Sequence, residues 1–313
     1  MVNRCFFRNF APNREKDLPP KENMQQTHYI VAGHPFTINT KEGSAEELFP
    51  TMSPFKADSI ADPLFTITVD NSIIPSWQGK KVGKFPCPSA TFEVYHRESG
   101  EYQVLILTER DIPCAFLESD KERKHFTITT RGTNEQQIFG LNNSAMLIFT
   151  ICTAPHNTLL IHSSTVENNG KAYMFLGKSG QGKSTHSDLW VKHIAGSTLI
   201  NDDNPVIRIA PDGTPTVYGS PWSGKRPIYK NVHYPIGGFA AIEQSKENSI
   251  KRESIPTAFG ILLSSTSTMK FDKEIHLQVC STISKILSAL PVHTLYCRPD
   301  EEAAQISSST LGV

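Results

Sequence analysis

The sequence predicts a mixed α/β protein, and three observations carry this prediction. β-Branched and aromatic segments bounded by Gly, Pro and Asn dominate the first half, which is typical of a β-sheet. Strand-like and helix-like segments alternate in the second half. A glycine-rich loop in that half separates an apolar strand pattern from a helical one. A chain of 313 residues has room for one large domain or two ordinary ones.

The N-terminal region is expected to consist of a polar arm followed by a sheet. Residues 1–27 are polar and charged and contain Pro19-Pro20, which predicts a flexible arm. Residues 28–135 form a β-rich region that we expect to be an antiparallel sheet, and no motif in it points to a chemical role. Its strand-like segments are Phe36–Ile38, Leu64–Val69, Thr91–Tyr95 and Tyr102–Leu107.

The second region, predicted over residues 136–313, begins with a buried helix at 142–153 that stops before Pro155. A strand over 158–166 follows, with His162 in its middle, and then a strand over 172–176. Asn169-Gly170 between them predicts a β-hairpin. The remaining predicted elements are a helix at 184–193, a strand at 197–200, a hairpin at 206–218, a strand at 238–242, helices at 255–265 and 274–290, a strand at 293–297 and a last helix opened by Pro299.

Composition argues against several classes of protein. The 31 basic residues balance the 31 acidic ones, so we expect neither nucleic acid nor a membrane surface to be the main partner. We expect no apolar stretch to reach the ~18–20 residues of a membrane span. The first eight residues do not resemble a signal peptide, and the six cysteines form no C-x-x-C pair. We therefore expect a cytoplasmic protein with reduced thiols.

The strongest motif is a phosphate-binding loop. Its sequence matches G-x-x-x-x-G-K-[ST] at every position, in Gly177-Lys178-Ser179-Gly180-Gln181-Gly182-Lys183-Ser184, and Thr185 is included in the predicted site. The glycines let backbone amides turn toward phosphate oxygens, and the helix N-terminus adds partial positive charge. Lys183 is expected to reach the β- and γ-phosphates and the Ser184 hydroxyl to ligate Mg²⁺. The alternative is a glycine-rich turn that binds no nucleotide.

Two adjacent carboxylates, Asp202 and Asp203, follow the next strand pattern. One of them can hold Mg²⁺ through water, while its neighbour can accept a proton from an attacking hydroxyl. Neighbouring residues on a strand point to opposite faces, so both reach a phosphate only if the strand ends in a turn, which Asn204-Pro205 predicts. The alternative is a solvated hairpin end.

Two further features are candidates for the same site. His162 comes to lie near the loop if the hairpin forms, although a strand histidine is more often a packed structural residue. The loop from Tyr218 to Arg226 carries two cations, Lys225 and Arg226, that can stabilise transferred charge if the loop closes over phosphates. Its alternative is an exposed turn whose Trp222 packs on the protein body.

These features occur in an order that resembles the C-terminal kinase domain of HPr kinase/phosphorylase. The segments that carry the resemblance are 162–166, 170–184 and 199–203. The fold that it implies is α/β (mixed), with a phosphoenolpyruvate carboxykinase/HPr kinase-like P-loop core and, in this chain, an N-terminal antiparallel β region.

The resemblance implies that ATP and Mg²⁺ bind to the loop through Lys183 and Ser184. Asp202 would be the proton acceptor, Asp203 a carboxylate on the metal side, and His162 an active-site group near the phosphate. Lys225 completes the candidate catalytic set.

The implied activity is that of a Mg-ATP-dependent kinase acting on a serine hydroxyl of a protein, a peptide or free serine. Kinases of this type often form homo-oligomers. The alternative is a nucleotide-gated regulatory or peptide-modification partner that binds ATP with little or no phosphotransfer.

Overall fold

The computed structural model describes residues 24–87, 90–224 and 226–313 and has the predicted mixed α/β composition. These residues form two compact units, one ending at Cys152 and the other spanning Thr153–Val313, each with a nine-stranded mixed sheet. Residues 1–23 of the predicted arm lie outside the described residues, and Gln25 already begins the first strand.

The described residues of the first unit form nine strands and two helices, with a 3₁₀ turn at Pro50–Phe55. The helices are α1 (Ala45–Leu48) and α2 (Asn134–Thr153). The strands are β1 (Gln25–Val31), β2 (His34–Thr40), β3 (Lys56–Ala57), β4 (Phe65–Val69), β5 (Lys80–Pro86), β6 (Ala90–His96), β7 (Tyr102–Thr108), β8 (Pro113–Ser119) and β9 (His125–Thr130), and they pair in the order β3-β1-β2-β4-β9-β8-β7-β6-β5.

The four strands predicted in this unit are confirmed, but the expectation of an antiparallel sheet is wrong. β4 pairs in parallel with both β2 and β9, whereas the other neighbours are antiparallel. Antiparallel pairs are joined by tight turns, whereas parallel strands need a longer crossover. The chain supplies crossovers here through α1 between β2 and β4 and through the β5–β8 meander between β4 and β9.

Helix α2 begins at Asn134, eight residues before the predicted start, and its first turn, residues 134–137, is polar. It packs closely on β8: a Cβ added to Gly140 would lie 2.7 Å from the Cβ of Ala115. Residues 134–156 are long and apolar enough to cross a membrane by length and composition alone. The expectation that no segment meets this criterion is wrong, but 61% of the apolar window is buried, as in the core helix of a soluble protein.

The second unit contains the remaining strands and four helices, after a 3₁₀ turn at Ala154–His156. The helices are α3 (Lys183–His193), α4 (Ile255–Ser265), α5 (Lys273–Ala289) and α6 (Glu301–Leu311). The strands are β10 (Thr158–Leu160), β11 (Ser163–Asn168), β12 (Lys171–Leu176), β13 (Thr198–Asp203), β14 (Val206–Ile209), β15 (Pro215–Tyr218), β16 (His233–Gln244), β17 (Ser249–Arg252) and β18 (Val292–Cys297).

The elements predicted for this unit are confirmed with one exception. The single strand expected over 158–166 is two strands, because β10 pairs with β14 while β11 pairs with β12 and β13. His162 lies in the break between them, not in mid-strand, and its backbone amide bonds to the carbonyl of Ser265. The predicted hairpin joins β11 to β12, with Asn169 and Gly170 both at positive φ.

Strands β12, β13, β16 and β18 run in the same direction and end toward the same edge of this sheet. β12, β16 and β18 pair in parallel, and β13 has their direction because it and β12 both lie antiparallel to β11. Helices α3 and α6 cover one face of these strands, where Phe175 and Trp190 belong to the buried core. The predicted region boundary at 135/136 assigns α2 to this part, whereas the compact units divide at 152/153.

Candidate functional site

The candidate residues gather at the carboxyl edge of the parallel strands in the second unit. Ser163 on β11 lies opposite Leu176, the last residue of β12, and also opposite Asp203, the last residue of β13. The loop that follows Leu176 is therefore two strand spacings, about 10 Å, from Asp203. Such edges are where ligands bind in open α/β sheets, because the loops that leave parallel strands converge there.

The predicted phosphate-binding loop joins β12 to α3, as the motif requires. Gly177 and Gly182 have φ values of 139° and 105°, which side-chain-bearing residues rarely adopt. A Cβ on Gly177 would also lie 2.7 Å from Oε1 of Gln181 and 3.3 Å from the carbonyl oxygen of Ile242. The backbone thus fixes glycine at the start of the loop.

The N-terminus of α3 differs from those of the other helices in the described residues. Its N-cap is Gly182, which has no side chain to accept from the first-turn amides. A side-chain oxygen takes that role in the others, namely Ser44, Thr133, Ser254, Asp272 and Asp300. The amides of the first turn of α3 have no intrahelical acceptor and remain suited to an anion.

Lys183 points back into the loop. Its side chain is only 8% exposed, and Nζ donates to the carbonyls of Gly177 at 2.9 Å and Lys178 at 3.2 Å. Burial lowers the pKa of Lys183 below its ordinary value, although the charges of Asp203 and Asp202 act in the opposite direction. The charges of the two carboxylates therefore favour the protonated form of the lysine.

Asp202 lies on the sheet face that α3 covers. It is 9% exposed and shares its register position with Ser164, whose hydroxyl accepts from Ser187 of α3 at 2.6 Å. Nε of Arg226 contacts Oδ2 of Asp202 at 3.1 Å, and its two terminal nitrogens donate to Asp188 at 2.7 Å each. The hydrogen bond to Asp188, together with the Asp202 charge, raises the pKa of Arg226. One guanidinium therefore ties Asp202 to the helix.

Asp203 belongs to the opposite face and meets the candidate histidine. Nε2 of His162 lies 3.2 Å from Oδ1 of Asp203, and the Asn204 amide donates to Oδ2 at 2.7 Å. The break between β10 and β11 brings His162 to this edge. The predicted position of His162 in the middle of a strand does not explain its contact with Asp203.

The side chains at this edge suit Mg²⁺ better than a metal ion that is held by protein ligands alone. No group of three or more His, Cys, Asp or Glu side chains in the described part of the chain could hold an ion. Mg²⁺ is commonly held by one or two carboxylates together with water and substrate phosphates. Ser184 and Asp203 supply oxygen ligands of that kind at this edge.

The loop predicted to close over phosphates packs on the carboxylate pair. Lys225 itself lies outside the described residues. On its N-terminal side, the Gly224 amide donates to the carbonyl of Asp202 at 3.3 Å, and Ser223 forms a β-bridge with Asp203. Trp222 is buried. Its burial also agrees with the alternative interpretation, in which the loop is an exposed turn whose Trp222 packs on the protein body.

Sequence reasoning missed Asp188 and His186 at this site, and it included Gln181 only as a member of the loop motif. Gln181 accepts from the Lys178 amide through its side chain, and Asp188 anchors Arg226. Asp188 comes four residues after Ser184, so helical spacing puts both on one face and is a signal that could have revealed it. His186 is buried, and burial lowers its pKa to about 4.

No protein-family model matches the chain, and a search of curated proteins finds no match either. The resemblance to HPr kinase/phosphorylase therefore stays a prediction.

Proposed function

We propose that this protein is a Mg²⁺-dependent phosphotransferase with an HPr kinase-like, phosphoenolpyruvate carboxykinase-like P-loop core. It transfers the γ-phosphoryl group of ATP to a hydroxyl of a protein, a peptide or free serine. The observation that carries the proposal is one arrangement: an uncapped helix N-terminus and a buried lysine share a sheet edge with two carboxylates.

The loop and helix α3 bind the triphosphate. Backbone amides of the loop and of the first turn of α3 donate to phosphate oxygens, and the helix dipole adds to the attraction. Lys183 exchanges its two loop carbonyls for β- and γ-phosphate oxygens, which bear more negative charge. Ser184 and Asp203 hold Mg²⁺, which neutralises charge on the phosphates when bound.

Asp202 acts as the general base. Its carboxylate takes the proton of the acceptor hydroxyl as that oxygen bonds to the γ-phosphorus and the bond to the β–γ bridging oxygen breaks, so that ADP and a phosphate ester are formed. A positioned base of this kind contributes about 10²–10⁴-fold. Arg226 orients Asp202 through their 3.1 Å contact. His162 holds Asp203 in place.

The remaining assignments follow from this activity. The partners are a nucleotide and a hydroxyl-bearing substrate, the compartment is the cytoplasm, and nucleic acid and membranes are not partners. A homo-oligomer is the proposed assembly.

A second candidate function is a nucleotide-gated regulator with little or no phosphotransfer. The side chains of Lys183 and Gln181 already bond within the loop, and Arg226 joins Asp202 to Asp188. Nucleotide binding must break some of these bonds, which is a means of coupling ATP to a change in shape. Such a protein would bind ATP and release inorganic phosphate without labelling any acceptor.

Two measurements test the proposal. Calorimetry with ATP and Mg²⁺ should register binding that Lys183→Ala removes. Incubation with γ-³²P-labelled ATP and a panel of free serine, HPr and cell lysate should transfer label to an acceptor with the parent protein and not with Asp202→Asn. Label found only in inorganic phosphate favours the regulator, and no heat with ATP or GTP at millimolar concentration overturns both functions.

A further inference from the structure

A cavity lies directly beside the phosphate-binding loop. Its volume is about 430 Å³, within the range of small-molecule sites. Leu189 of α3, Ile242 of β16 and Pro299 give it apolar walls, while Thr185, Gln244 and Arg298 add polar groups. It shares Gly180 and Gly182 with the loop, so a ligand held by its phosphates at the loop would extend into this cavity.

One wall of the cavity carries a buried polar atom without a partner. His186 is 2% exposed, and its Nδ1 has no hydrogen-bond partner, whereas Nε2 contacts the Ser307 hydroxyl at 2.9 Å. Buried polar atoms are nearly always hydrogen-bonded, so an orphan on a residue that lines a cavity points to a ligand that supplies the missing bond.

The surrounding bonds determine which kind of ligand group is missing. The Ser307 hydroxyl donates to the Ala304 carbonyl at 3.0 Å and accepts from Nε1 of Trp190 at 2.8 Å. Its remaining lone pair accepts from Nε2–H of His186, so Nδ1 of the neutral ring is a bare acceptor. The ring is neutral at pH 8 even with an ordinary imidazole pKa of about 6.5. The partner of Nδ1 is therefore an N–H or O–H donor.

We infer that this cavity takes the base of the bound nucleotide and that Nδ1 of His186 accepts a hydrogen bond from the 6-amino group of adenine. The inference rests on the proposed function, since it assumes that the loop holds the phosphates. The apolar walls cover the faces of the base, and the acceptor selects a donor at position 6. A carbonyl oxygen at that position, as in inosine or guanosine triphosphate, places two acceptors together and is disfavoured.

A pair of substitutions at His186 isolates the acceptor. In His186→Gln the amide nitrogen can replace Nε2 as the donor to Ser307, while the acceptor at the Nδ1 position is lost. In His186→Asn an amide oxygen remains near the Nδ1 position, while the contact with Ser307 is lost. Thermal unfolding of both variants measures what each change does to the fold.

The experiment compares ATP with purine riboside triphosphate, which lacks the 6-amino group, and with inosine triphosphate, by calorimetry at pH 8 with Mg²⁺. The parent protein should bind ATP about tenfold more tightly than either analogue, the effect of one hydrogen bond to a buried acceptor. His186→Gln should reduce that ratio to about one, and His186→Asn should keep part of it. An unchanged ratio in His186→Gln overturns the inference.

A second variant covers the case in which His186 variants do not fold. Ser245→Trp places a bulky ring at the rim of the cavity and should weaken ATP binding at least about tenfold while leaving tripolyphosphate, which has no base, unaffected. If the parent protein binds ATP and tripolyphosphate equally and Lys183→Ala abolishes the binding of both, the base site is overturned. The proposed function then remains intact. Absence of binding by every triphosphate overturns both.

Discussion

The two units each bring the carboxyl ends of parallel strands together, and they use the resulting edge differently. In the first unit β2, β4 and β9 end at Thr40, Val69 and Thr130, and polar residues follow each of them. In the second unit β12, β13, β16 and β18 end at the phosphate-binding loop, the carboxylate pair and the cavity. In both units, parallel pairing alone therefore brings polar groups together at one edge of the sheet.

The polar groups of the first edge bond to one another. Lys41 forms an ion pair with Asp70, which also accepts from the Ser72 hydroxyl at 2.6 Å. Asn71 accepts from the Thr130 amide at 2.8 Å and, through its carbonyl, from Arg131 at 2.9 Å. The nearby helix α1 is closed by a capping box between Ser44 and Glu47.

At the second edge, some hydrogen-bonding groups of the described residues have no partner within the chain. Gly182 provides no cap for α3, and Nδ1 of His186 has no partner. The difference lies at the helix N-terminus: glycine replaces a capping side chain at the second edge, so the first-turn amides of α3 remain suited to an anion.

The sharpest test of this comparison replaces one lysine at each edge with alanine. Lys183→Ala should abolish ATP binding and lower turnover by at least about 10²–10³-fold, because the phosphates lose a buried cation. Lys41→Ala is the matched control and should leave both unchanged while destabilising the fold. Calorimetry and phosphate release measure the two effects. A comparable loss of ATP binding in Lys41→Ala would mean that the two edges do not differ as described.

The carboxylates give the next largest contrast. Asp202→Asn should retain ATP binding and lower phosphoryl transfer by about 10²–10⁴-fold, since the amide cannot accept the proton. Asp70→Asn, the corresponding change at the first edge, should transfer at the parent rate. Label transfer to acceptor provides the measurement. Full transfer by Asp202→Asn would assign the base to another residue.

Asp70 should also reveal its role through pH. Burial alone would raise the pKa of Asp70, but hydrogen bonds from Lys41 and Ser72 outweigh it and hold the pKa below the ordinary 3.8. The stabilisation is therefore complete above pH 3.8 and is lost as the pH falls through the lower, folded-state value. At pH 7 Asp70→Asn should reduce the free energy of unfolding by about 1–3 kcal/mol. Urea unfolding should show this gap closing below pH 3.8, and a constant gap contradicts the ion-pair explanation.

The smallest expected effect is at the cap of α1. Ser44→Ala leaves the Glu47 amide without its side-chain acceptor and should reduce the free energy of unfolding by about 1 kcal/mol. ATP affinity should not change, because this capped helix offers no anion site. A fall in ATP affinity would show that the capped and uncapped helix ends are not functionally distinct.

Local sequence patterns predicted the secondary-structure elements of the second unit better than they predicted the strand pairing of the first unit. Asn169-Gly170 specifies its hairpin through positive φ at adjacent residues, and Gly177 and Gly182 specify the loop in the same way. Parallel pairing of β2, β4 and β9 has no such local signal, because it depends on where crossovers return the chain. The break at His162 likewise arises from pairing with two different partner strands.

The sequence by itself determined the strand–loop–helix unit, its lysine and the carboxylate pair that ends the next strand, because these depend on residues close together in the chain. Only the tertiary structure decided that Arg226 joins Asp202 to Asp188, that His162 meets Asp203, and that His186 lines a cavity with an orphan acceptor. Those relations join residues on different elements, and packing and strand register, which no local pattern encodes, bring them into contact.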